Sequence, residues 1–111
     1  MDLTGDLLRG HSEMIVLSIL AKKDSYGYEI NKTVKTASNE TFQFTEATLY
    51  TTFKRLEKKH YINAYWKVAE SGRKRKYYQI TLEGKKTLET MQASWEKAKQ
   101  NVDSIMYDKK G

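Results

Sequence analysis

The chain has 111 residues and carries a formal net charge of +6 with no cysteine. That length fits one domain with a single modest core, and the absence of cysteine excludes disulfides and thiolate-held metals. The longest apolar run, residues 14–21, is interrupted by Ser18 and falls well short of the about 20 apolar residues a bilayer span needs. The start of the chain has no basic segment ahead of an apolar stretch, so no secretory signal is expected and the chain reads as cytoplasmic.

The charge is unevenly placed. Residues 54–76 hold nine bases (Lys54, Arg55, Lys58, Lys59, Lys67, Arg73, Lys74, Arg75 and Lys76) against Glu57 and Glu70, a net of +7. The other eleven bases and twelve acids leave −1. A plainly solvated basic face is the alternative, but an excess confined to one stretch is the footprint of a polyanion binder.

In chain order, residues 7–23 are predicted to form the first helix. Its apolar residues cover more than one face, which suggests burial against a partner chain as well as against the chain's own core. Asp24 and Ser25 are expected to cap a second helix running to about Ala37, with Tyr26, Ile30 and Val34 at helical spacing. Gly27 in its first turn permits close packing, and Ser38-Asn39 ends it. Phe42 and Phe44 alternate across Gln43, as in one short strand. Thr45 is then a plausible N-cap for a third helix to about His60, with Glu46 at the positive end of its dipole. Leu49, Phe53 and Leu56 share its apolar face. Thr48, Tyr50, Thr51, Lys54 and Arg55 fall on the others, where hydroxyls, an aromatic ring and cations suit phosphates and base edges.

Ile62, Ala64, Trp66 and Val68 alternate with polar residues as in a half-buried strand, and residues 77–80 read as its partner. Ser71-Gly72 supplies the turn, and Arg73, Lys74, Arg75 and Lys76 load the hairpin with charge. Residues 81–106 are predicted to form a long last helix. Leu88, Met91, Trp95, Ala98, Val102 and Ile105 step by three and four, an a/d pattern that reads as a dimer interface. Packing against the chain's own first helix is the competing reading, and both can hold together. The fold class expected is mainly α with a small β-hairpin (α+β). It is a winged helix-turn-helix over residues 1–80, a dimerisation helix over 81–107 and a tail over 108–111.

Nothing points to catalysis. His11 and His60 belong to no metal spacing such as H-E-x-x-H, no nucleophile signature or glycine-rich phosphate loop occurs, and no cofactor or metal is expected. A winged-helix protein-interaction module is a further reading, which the charge of the hairpin disfavours.

The run ATLYTTFKRLEKKHYINAYW, followed by GRKRKYYQIT and a long helix and preceded by YGYEI, resembles the PadR family of bacterial transcriptional regulators. Within that family it is most similar to the LmrR-like, multidrug-binding subgroup. The resemblance covers residues 7–106. It implies a homodimeric DNA-binding repressor acting on a pseudo-palindromic operator. Thr48, Tyr50, Thr51, Lys54 and Arg55 would then contact the major groove, with Arg73, Lys74, Arg75 and Lys76 on the flanking backbone. It also implies a flat apolar pore at the dimer centre, where the Trp95 pair sandwiches a planar aromatic small molecule. Leu7, Met14, Ser18, Leu88, Met91 and Lys99 would line that pore. The subgroup pattern has an acid one turn after the tryptophan, and Lys99 stands there in this chain, which fits a neutral or anionic aromatic better than a cationic drug. The alternative is a DNA-binding dimer with no small-molecule site, a constitutive or architectural factor.

Overall fold

The computed structural model describes residues 3–107, so the tail expected over residues 108–111 lies outside it. The elements are α1 (Leu3–Arg9), α2 (Ser12–Lys22), β1 (Ser25–Tyr26), α3 (Gly27–Ala37), α4 (Glu46–Lys58), β2 (Ile62–Val68), β3 (Lys74–Ile80) and α5 (Leu82–Tyr107). The strands form one antiparallel sheet in the order β1-β3-β2. Val16, Leu17 and Leu20 of α2 form the centre of the core with Ile30 of α3, Leu49, Phe53 and Leu56 of α4, Ile62, and Leu88 of α5. Each such side chain contributes roughly 1.5–3 kcal/mol by leaving water.

Several expectations for the first third of the chain are corrected. The single helix over residues 7–23 is two helices. The Gly10 amide still bonds to the Asp6 carbonyl, but the His11 amide bonds to Leu8 and the His11 carbonyl starts the next helix. Gly10 weakens the helix there, and the break lets α2 enter the core while α1 packs on it through Leu8. Ser25 is not a cap. It pairs with Tyr78 in the sheet, its hydroxyl donates to Glu29 Oε1 at 2.6 Å, and the N-cap position of α3 is Tyr26. Phe42 and Phe44 are not in a strand. Both are buried, with their rings edge to face at 5.1 Å. Asn31 holds this loop: its Nδ2 donates to the Phe44 carbonyl at 2.7 Å, and its Oδ1 accepts from the Phe44 amide at 2.9 Å. The loop's backbone polar groups are thus satisfied by a side chain instead of a ladder.

Gly27 is not required by space, since a Cβ there would meet Leu49 and Phe53 at an ordinary 3.8 Å. Gly84 of α5 is, because a Cβ would lie 2.2 Å from the Tyr61 carbonyl oxygen. Helix α4 ends in a Schellman pattern. The Tyr61 amide bonds to Leu56 and the His60 amide to Glu57, with His60 at a φ of 63°.

Candidate nucleic-acid interface and C-terminal seam

Helix α4 starts as its sequence implies. Thr45 Oγ1 accepts the Thr48 amide at 3.1 Å, and Glu46 sits in the first turn. Its inner face is fixed by Leu49, Phe53 and Leu56 and by the buried Thr52, whose Oγ1 lies 2.9 Å from Ser12 Oγ and 2.8 Å from the Thr48 carbonyl. That anchoring leaves Tyr50, Thr51, Lys54 and Arg55 exposed on one outer surface. Lys54 Nζ lies 4.7 Å from the Tyr50 ring centroid. Thr48 is half-buried on the flank, where its hydroxyl accepts from Thr45.

The hairpin turns at residues 69–72. The Gly72 amide donates to the Ala69 carbonyl at 2.8 Å with φ +85° at Gly72, a conformation glycine adopts without steric cost. The alternation of β3 then divides its bases between two faces. Lys74 and Lys76 share the face of Tyr78, which stacks on Phe53 of α4 with centroids 4.0 Å apart. Arg75 falls on the opposite face, its guanidinium 4.6 Å over the Tyr26 ring. On that face the register aligns Tyr26, Tyr77 and Tyr65 across all three strands, and Lys67 Nζ sits 5.2 Å over Tyr77. Arg73 is exposed at the end of the turn.

A cleft of about 1120 Å³ separates α3 and the start of α4 from β3; Tyr28, Lys32, Tyr50, Arg75 and Lys76 line it. Tyr28 and Lys32 were not singled out in the sequence. The signal was present, because Ile30 and Val34 define the buried face of α3 and these two fall opposite it. Burial, reinforced by Glu57 and Tyr50, pushes the Tyr78 phenol up to about 12. The hydrogen bond that the Tyr65 hydroxyl donates to Asp24 Oδ2 at 2.6 Å raises the Tyr65 phenol to about 12 as well.

The heptad stripe of α5 divides in two. Leu88 is buried in this chain's own core and Met91 packs partly against it. Beyond them Trp95, Val102 and Ile105 are 40%, 50% and 81% exposed, and Ala98 is exposed. The Trp95 ring meets His11 edge to face at 4.9 Å. Leu7 is exposed on α1, while Met14 and Ser18 are half-buried on α2, which packs against α5. The Ser18 hydroxyl donates to the Met14 carbonyl at 2.8 Å, and Lys99 pairs with Glu96 at 2.9 Å. Among the described residues, no group of three or more His, Asp or Glu side chains is placed to hold a metal, and no helix is long and apolar enough to cross a membrane.

Helices α2, α3 and α4, a basic two-stranded wing and a long terminal helix define a winged helix-turn-helix protein. A model of the transcriptional regulator PadR-like family matches residues 16–90. An "Uncharacterized protein X" of Lysinibacillus sphaericus is 45% identical over 101 residues, which is 91% of this chain and 93% of that protein. A solved transcriptional regulator from Clostridium thermocellum has a TM-score of 0.81 at 40% identity, over 89% of this chain and 96% of its own. A PadR family transcription regulator from Clostridium difficile R20291 has a TM-score of 0.75 at 36% identity, over 86% of this chain and 98% of its own. This chain belongs to the PadR-like family of transcriptional regulators, and it is a regulator of transcription, not an enzyme.

Proposed function

We propose that the chain is a homodimeric, DNA-binding repressor of the LmrR-like, multidrug-binding subgroup. It would control an exporter or detoxification gene and be released by a planar aromatic ligand held between the two Trp95 side chains. In this reading α4 enters the major groove through Tyr50, Thr51, Lys54 and Arg55, with Thr48 at its start. Arg73, Lys74, Arg75 and Lys76 hold the adjacent phosphates. Two copies joined along Trp95, Ala98, Val102 and Ile105, with the half-buried Met91 closing the inner end and Leu88 left to each chain's own core, present two such helices to grooves about 34 Å apart.

The observation that supports this reading most is the basic surface that Lys54 and Arg55 of α4 make beside Lys74 and Lys76 of the hairpin, inside a stretch of net charge +7. Binding to a duplex should weaken steeply with salt as counterions are released. Lys54→Ala and Arg55→Ala should abolish an operator gel shift while sedimentation still reports a dimer. Unchanged shifts in both variants would remove these residues from the interface.

A second reading, a DNA-binding dimer without a ligand site, is favoured by the His11 ring already packed on Trp95. The Lys99–Glu96 pair supports a neutral or anionic ligand only weakly, because an exposed pair of this kind is worth little. Trp95 fluorescence in a Trp66→Phe background discriminates the two. Quenching by a planar aromatic supports the ligand site, and none across a diverse panel supports the constitutive factor.

A further inference from the structure

Trp66 and Val68 finish strand β2 in water, 65% and 60% exposed. They continue the face that carries Ile62 and Ala64 inward, but the hairpin outruns the body of the domain. The register sets Trp66 opposite Lys76 and Val68 opposite Lys74. Side chains paired in this way stand about 5 Å apart, so apolar and ammonium groups alternate over one small surface. Trp66, Val68 and Lys74 line a shallow recess there. Lys76 connects it to the rest of the basic surface: its Nζ is 5.7 Å over the Tyr78 ring, and it lines the same cleft as Tyr50.

We propose that Trp66 and Val68 are an apolar wedge that rests on the deoxyribose edges of the DNA minor groove, while Lys74 and Lys76 take the phosphates on either side. The inference rests on the DNA-binding reading above. The occupant follows from charge and continuity. Sugar edges alternate with phosphates along a strand, which matches the alternation of apolar and cationic groups, and apolar wedges in the minor groove are a known physical device. A purely apolar protein surface laid on the same patch would strip water from two ammonium groups and return nothing.

The test uses the full chain and a duplex that it selects from a randomised pool. Trp66→Ala should weaken binding roughly tenfold per wing, the order of one aromatic contact worth about 1.4 kcal/mol. The slope of log affinity against log salt should stay unchanged, because no phosphate contact is removed. Trp66→Phe should recover most of the affinity. Lys76→Ala should instead flatten the slope by roughly 0.9 per wing. Thermal melts should be unmoved by either Trp66 variant, since the side chain is exposed; should Trp66→Ala fail to fold, Val68→Thr serves the same measurement. Wild-type affinity in Trp66→Ala (or, in that event, in Val68→Thr) overturns the wedge and leaves the DNA reading intact, as does a flattened slope in the same variant. Failure of the wild-type chain to enrich or bind any duplex at low salt overturns both.

Discussion

Adding one methyl group at Gly84 tests how the long helix is seated. A Cβ there would stand 2.2 Å from the Tyr61 carbonyl oxygen and 2.8 Å from Ile80 Cγ1. The first contact is with backbone, and that carbonyl already accepts the Thr81 amide at 3.0 Å. The Thr81 hydroxyl in turn donates to the His60 carbonyl at 2.7 Å and accepts the Gly84 amide at 3.0 Å. No flexible side chain can give way, so helix and loop must separate by about 1 Å before ordinary contact is restored. Overpacking of this kind costs about 1–3 kcal/mol, and loss of one of these hydrogen bonds adds about 1 kcal/mol. Alanine recovers about 1 kcal/mol through helix propensity. The expected net is a loss of about 1–3 kcal/mol, which lowers Tm by roughly 5–20 °C in a domain of this size. Circular dichroism melts of Gly84→Ala and wild type at equal protein concentration measure it, with the exposed Thr90→Ala as a propensity control. A Tm equal to or above wild type would refute the claim that α5 is locked against the Tyr61 carbonyl.

Four other outcomes are expected. His60→Gly should stabilise the chain by up to about 1 kcal/mol, because His60 holds a left-handed conformation that glycine adopts freely; urea unfolding measures it. Asn31→Ala removes both bonds to the Phe44 backbone and should cost about 1–3 kcal/mol, read as a lower Tm and faster amide exchange at Phe44. Tyr78 has a folded-state phenol at about 12, above its ordinary 10. Its contribution is therefore complete below pH 10 and is lost as pH rises towards 12, so the fall in urea midpoint between pH 9 and pH 11.5 should be shallower in Tyr78→Phe. Ile105→Asp should shift the sedimentation profile towards a protomer while leaving the Tyr78 and Trp66 surroundings unchanged by NMR, and an undisturbed dimer would move the interface elsewhere on α5.

What could be read from the sequence was local. The Thr45 cap, the apolar spacing of Leu49, Phe53 and Leu56, and the strand at Ile62 each specify their element within a few residues, and the structure has all three. The misses needed partners distant in the chain. Strand β1 is two residues long and exists because Tyr78 lies beside Ser25, which no window around Ser25 reveals. Phe42 and Phe44 alternate like a strand, yet with no neighbouring ladder their backbone is held by Asn31. In the functional surface, residue types were legible but their division between faces was not. Arg73, Lys74, Arg75 and Lys76 read as one basic run, whereas pleating turns Arg75 onto Tyr26 and leaves Lys74 and Lys76 on the side of α4. Trp66 and Val68 read as half-buried because alternation tells which face a residue takes, not whether the body of the domain extends far enough to cover it.

Only the first three turns of α5 are seated against the core, at Gly84, Leu88 and Met91. Residues 92–107 lie beyond that seat, and at a rise of 1.5 Å per residue they form a lever of roughly 24 Å fixed at one end. A tilt of about ten degrees between head and lever moves the far end by roughly 4 Å, close to one base-pair step along a duplex. In the dimeric, DNA-binding reading proposed above, small adjustments of packing around Trp95 would thereby be converted into a step of register, provided the seat at Gly84 stays rigid.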